Sequence, residues 1–147
     1  MRLRTFLIAA LVAMTAPALA QTAAAVNAHL DSIFGEHGKF EQAFSALQAA
    51  VSSGDAKAVA VLAAYPLVVK VDGRREVGSE EEFTRLYDEI VTEEIVAAVS
   101  GQSYESLFAS DQGIMFGNGQ VWMSGVCEDD ACEQWDVKII TIQSTAQ

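Results

Sequence analysis

The chain has 147 residues, nine Lys/Arg against twenty Asp/Glu, and a formal net charge of −11. A surface of that sign repels phosphate backbones and anionic headgroups, so nucleic acid and membrane surfaces are poor partners and a basic protein is a better one. Apolar residues make up 51% of the chain, enough for one domain with a real core.

The first twenty residues read as an export signal. Arg2 and Arg4 form a basic start, Phe6 to Met14 is a short apolar run, and Ala18-Leu19-Ala20 is a small–x–small cleavage pattern before Gln21. The apolar run is too short for a membrane span, which needs about 20 residues. No cysteine stands at the cleavage point, which argues against a lipid anchor. The expected mature chain is therefore one soluble domain over 21–147, periplasmic or secreted. Two of the nine basic residues and none of the acidic ones fall in the signal, so its balance is seven against twenty, or −13.

From Val26 the pattern Val26, Leu30, Ile33, Phe34 has helical spacing, with a break expected near Glu36-His37 between two glycines. A second helix carries Phe40, Ala43, Phe44, Leu47 and Val51 on one stripe and ends at Ser52-Ser53-Gly54. Asp55 caps an Ala-rich third helix expected to run through Ala64, where Tyr65-Pro66 stops it. Leu67 to Val71 then reads as a strand, Asp72-Gly73 as a two-residue hairpin turn, and Arg74 to Val77 as the return strand. Ser79 with Glu82 makes a capping box for a helix carrying Phe83, Leu86, Tyr87 and Ile90. Thr92 with Glu93 and Glu94 repeats the device before Ile95, Val96 and Val99, and Gly101 closes the helical half.

The stretch Asp111 to Ile142 organises the rest as three strands. Gly113–Phe116 is the first, turning through Gly117-Asn118-Gly119. Gln120–Cys127 sets Val121, Met123, Gly125 and Cys127 on one face, and Gln120, Trp122, Ser124 and Val126 on the other. Gln134–Ile142 separates Trp135, Val137, Ile139 and Thr141 from Asp136, Lys138, Ile140 and Ile142. Cys127 and Cys132 flank the turn between these two strands, where their Cα atoms come within bonding reach. In an exported protein that pair is expected as a structural disulfide, stabilising by about 2 kcal/mol or less because the loop is short. The spacing lacks the CxxC pattern of a redox-active pair.

The order of helices, hairpin, helices and meander, with F-x-x-x-Y-D-x-I-x-T at Phe83 to Thr92 and G-I-M-F-G-N-G-Q-V-W at Gly113 to Trp122, resembles the NTF2-like (SnoaL-like) α+β roll. It is similar to small exported bacterial proteins of that type whose role is unassigned. The resemblance covers about Phe40 to Ile142. It implies an α+β, cystatin-like roll, with N-terminal helices on a curved antiparallel sheet around a conical pocket. Such pockets host isomerases, dehydratases and cyclases in some members and binding roles in others, so the fold alone does not decide.

Enzymes of that roll use a pocket Asp or a His–Asp pair as base. His29 and His37 sit in the helical half, away from the expected sheet. Asp88 follows Tyr87 but lies off the Phe83–Tyr87–Ile90 stripe, which makes it a weak candidate for the base of a lyase or isomerase. No Cys/His cluster has zinc spacing, Glu128-Asp129-Asp130 lacks the ligand alternation of a calcium loop, and no phosphate loop or nucleophile elbow is present. No cofactor or metal is expected. The reading that follows is an exported binding module. It would take a small apolar molecule in a pocket lined by Tyr87, Met115 and Trp122, or a protein on the sheet face. The alternatives are an immunity-type inhibitor of a secreted toxin and the Asp88 enzyme. Pairing of two copies through the sheet is a further expectation by analogy.

Overall fold

The computed structural model describes residues 21–145; the expected export signal over 1–20 lies outside them. Helix α1 (Ala23–Phe34) starts at Thr22, whose hydroxyl accepts from the Ala25 amide at 3.2 Å, and ends at Gly35. Helix α2 (Gly38–Ser53) buries its whole expected stripe of Phe40, Ala43, Phe44, Leu47 and Val51. Asp55 caps α3 (Ala56–Val61), accepting from the Ala58 amide at 3.0 Å.

Strand β1 (Ala63–Lys70) begins four residues before Leu67, and α3 stops short of the expected Ala64. Tyr65-Pro66, joined by a cis peptide, therefore lies inside a strand and does not simply end a helix. The pairing shows how the strand tolerates it. Between Ala63 and Val68 the register against the last strand shifts, so Pro66 sits in a bulge where no ladder amide is needed. Asp72 and Gly73, at φ 50° and 94°, lie in the turn to β2 (Arg75–Val77), but the pairing of Val69 with Arg75 leaves five residues, 70–74, between the paired positions, so the connection is longer than the expected two-residue turn.

The Ser79 hydroxyl accepts from the Glu82 amide, while the Glu82 carboxylate reaches back to the Gly78 amide at 2.7 Å. Helix α4 (Glu80–Arg85) yields at Leu86 to a single turn, α5 (Tyr87–Ile90). Helix α6 (Glu93–Ser100) follows, with Ile95 and Val99 buried. Its expected Thr92 side-chain cap is not made, and the Glu94 carboxylate accepts instead from the Ser144 hydroxyl. A 3₁₀ turn (Tyr104–Ser106) leads into β3 (Phe108–Ser110), a strand not among those expected from the sequence.

Strands β4 (Gly113–Phe116), β5 (Val121–Cys127) and β6 (Trp135–Gln143) complete one six-stranded sheet in the order β2-β1-β6-β5-β4-β3. The hairpin strand β1 joins β6 in parallel, so the sheet is mixed and not purely antiparallel. At β4 the chain needs Gly113, since a side chain there would collide with the Met123 carbonyl of β5. Trp122 pairs with Thr141 but Met123 pairs with Ile139, so β6 carries one extra residue. That bulge reverses the expected alternation: Ile142 joins Val137 and Ile139 in the core, and Thr141 moves to the opposite face.

The space between helices and sheet is filled. Phe44 stacks on Phe116 at 5.2 Å between ring centroids, and Phe40, Leu47, Phe83, Ile95 and Met123 are all fully buried around them. Where the resemblance implied a conical pocket, these aromatic and aliphatic side chains pack on one another between helices and sheet.

Candidate functional site

With the interior full, concave and apolar surface has to be sought outside it. One register row runs right across the outer face of the sheet. Phe108 stands opposite Met115, Met115 opposite Trp122, Trp122 opposite Thr141, Thr141 opposite Val68, and Val68 opposite Glu76. The row crosses all six strands. It lies on the outside because its neighbours along each strand, such as Ile114, Phe116, Val121 and Met123, point into the core. Phe108 is 50% exposed and meets the Trp122 ring edge-on at 6.2 Å. Beside it Trp122, Ile140 and Thr141 floor a groove of about 260 Å³ whose rim holds Lys70, Gln112 and Gln143.

A second cleft, about 320 Å³, opens at the far end of β5 and β6. Phe34, Trp135 and the Cys127–Cys132 disulfide wall it, with Gly125 and Ser124 on its floor and Asp111 at its rim. The disulfide joins Cα atoms 4.8 Å apart, as the strand spacing allows. A third depression, about 650 Å³, lies between α3 and α4, where Lys57, Glu80, Glu81 and Arg85 surround the exposed Val61. Its charges of both signs make it a hydrated seam between two helices.

The three residues expected to line one pocket are divided. Met115 and Trp122 are register partners on the outer face. Tyr87 sits in the helical layer against Phe83, ring centroids 6.3 Å apart, and burial, with Asp88 and Asp55 nearby, raises its phenol above the usual value. Asp88 is exposed on α5 and lines none of these three clefts. His29, expected away from the sheet, instead donates through Nε2 to the Ala109 carbonyl of β3 at 3.1 Å and so covers the sheet's edge. His37 bonds Asp31 at 2.8 Å on its own side of the α1–α2 corner.

One polar cluster went unnoticed in the sequence. Gln120, the buried polar residue at the start of β5, holds the Asn118 amide with its Oε1 and points Nε2 at Glu94 and Thr145. The Glu94 carboxylate accepts from the Ser144 hydroxyl at 2.6 Å and from the Thr145 amide at 2.9 Å. Those hydrogen bonds hold the Glu94 carboxyl down at about 2. The cluster is a clasp on the C-terminal strand, since each member is paired inside it. Among the described residues no group of three or more His, Cys, Asp or Glu side chains is placed to hold a metal ion. Nor is any helix there long and apolar enough to cross a membrane.

No family model, curated protein or solved structure matches this chain.

Proposed function

We propose that this protein is an exported binding module, built on an NTF2-like roll, that recognises a basic protein through the outer face of its sheet. Phe108, Met115 and Trp122 form the apolar centre of that contact. The observation that carries the reading is the register row across all six strands, which sets an exposed Phe, a Met and a Trp side by side on one face. Aromatic residues and methionine are the types enriched at the buried centres of protein interfaces. Large apolar side chains adjacent on a rigid sheet offer contact area at little ordering cost.

Charge selects the class of partner. With seven basic and twenty acidic residues after position 20, two copies of this chain repel each other, whereas a basic protein is steered onto it. An inhibitor of a basic secreted toxin is one instance of this reading. The lyase or isomerase alternative loses support because Asp88 is exposed and the interior is packed. The disulfide supports the export component, as such bonds persist in oxidising compartments.

Native mass spectrometry of the gently purified protein tests this. A heteromer with a lysine- and arginine-rich partner is expected for the wild type. It should weaken by about 2 kcal/mol, roughly thirtyfold, in Trp122→Ala, with unchanged circular dichroism. A bare monomer in both, or a heteromer indifferent to Trp122 and Phe108, overturns the proposal. A homodimer lost on the same substitutions would put a second copy in the partner's place.

A further inference from the structure

The cleft beside the disulfide lies apart from the outer-face row and has its own chemistry. Its walls are the rings of Phe34 and Trp135 and the sulfurs of Cys127 and Cys132, so it is apolar on its sides. Strand β5 allows this by presenting Gly125 opposite Val137, next to the Cys127–Trp135 pair. A side chain at Gly125 would stand 3.1 Å from the Trp135 ring, tighter than ordinary packing, so glycine keeps the ring lying close over the strand. Phe34 is braced from behind by Phe40, 4.4 Å away between centroids, and Phe40 in turn meets Trp135 at 6.1 Å. The two aromatic walls are thus set by the core and not by solvent. At about 320 Å³ the cleft is at the lower end of the roughly 300–1,000 Å³ typical of small-molecule sites, room for one ring and a short arm.

The rim has one sign. Asp111, in the turn between β3 and β4, enters the cleft's lining, and among the described residues its carboxylate makes no ion pair. The connection from β5 to β6, which holds the disulfide, carries Glu128, Asp129, Asp130 and Glu133. Asp129 is committed to that loop's own amides, accepting from Glu133 and Gln134 at 3.0 and 2.6 Å. Lys39 stands against the Trp135 ring: its Nζ donates to the Trp135 carbonyl at 2.7 Å and lies 4.1 Å from that ring's centroid. Lys39 does not line the cleft.

We propose that this cleft is a binding site for a small aromatic amine, the ring held between Phe34 and Trp135 and the ammonium facing Asp111. Aromatic walls and a carboxylate favour a cation on an apolar body over an anion or a neutral ring. The acidic loop adds a long-range pull of the same sign. The site is independent of the outer face, so its failure would leave the partner reading standing, and the reverse.

The test uses Trp122→Phe, which leaves Trp135 as the only tryptophan reporter, titrated with three probes: 2-phenylethylamine, phenylacetate and ethylamine. Saturable fluorescence change with phenylethylamine, and little with the other two, is expected. Asp111→Asn should weaken that binding roughly two- to fivefold, as suits an exposed charge, and high salt should do the same. Asp111→Lys, in an exposed turn that tolerates it, should transfer the preference to phenylacetate. Equal binding of phenylethylamine and phenylacetate would reduce the site to an apolar hole. Binding of ethylamine as strong as that of phenylethylamine would reduce it to surface charge. Either result, or no binding of any probe, overturns the inference.

Discussion

The Lys39 ammonium lies 4.1 Å from the centroid of the Trp135 ring and also donates to the Trp135 carbonyl, joining α2 to the start of β6 across 96 positions of chain. A cation over an indole face in a half-buried setting contributes about 0.5–2 kcal/mol. Lys39→Met keeps most of the aliphatic stem and removes the charge. It should lower stability by about 1 kcal/mol in urea denaturation and shift Trp135 emission; no change in either would show the contact to be energetically idle.

The Cys127–Cys132 bond closes a loop of four residues, so it restricts the unfolded chain little. Replacing both cysteines by serine should cost about 2 kcal/mol or less in global stability. The local effect should be larger. Asp129 and the disulfide together hold Cys132 at φ 55°, a conformation that side chains other than glycine adopt reluctantly. Amide exchange over residues 128–134 should therefore rise far more than exchange in β1, and uniform acceleration would contradict this.

Glu94 sets a pH dependence for the C-terminal clasp. Its carboxyl lies near 2 when folded, below the ordinary 4.5, because Ser144 and Thr145 donate to the ionised form. A folded value below the unfolded one means the contribution is complete above about pH 4.5 and is lost as pH falls towards 2. Protection of the amides of residues 143–145, taken relative to the intrinsic exchange rate at each pH, should thus fall on acidification through that window. Glu94→Gln should remove this pH dependence and loosen the segment at neutral pH as well; a wild-type segment unaffected between pH 5 and 2 would refute the clasp.

Two phenylalanines on neighbouring strands should respond oppositely. Phe116 is fully buried and stacked on Phe44, so Phe116→Ala should cost about 3–5 kcal/mol. Phe108 is half exposed, and Phe108→Ser should stay within about 0.5 kcal/mol of wild type while weakening partner binding. Equal destabilisation by both would mean that the outer face is structural.

Much of this fold was legible along the chain because short-range physics governs it. The stripe on α2, the Asp55 cap, the Asp72-Gly73 turn and strand β4 each depend on residues within a few positions of one another. The cysteine pair was legible for the same reason, its partners being five positions apart. Asp88 was marked as off the apolar stripe, and it is exposed.

What the local pattern did not carry are relations between distant residues. The start of β1 at Ala63 and the phase of β6 depend on bulges, which exist only when two strands are paired. One extra residue in β6 turns Ile142 inward and Thr141 outward, and alternation in a single strand has no way to register it. Met115 and Trp122 became neighbours while Tyr87 went to the other layer, because strand register and helix packing place residues that sequence spacing cannot relate. The Glu94 clasp spans about fifty residues and reads in sequence as a second helix cap. By itself, then, the sequence determined the acidic balance, the buried stripe on α2 and the disulfide, but not the end of α3 at Val61 or the break at Leu86. Tertiary structure alone decided that aromatic side chains pack between helices and sheet, and that apolar surface is left on the outer sheet face and in the cleft by Trp135.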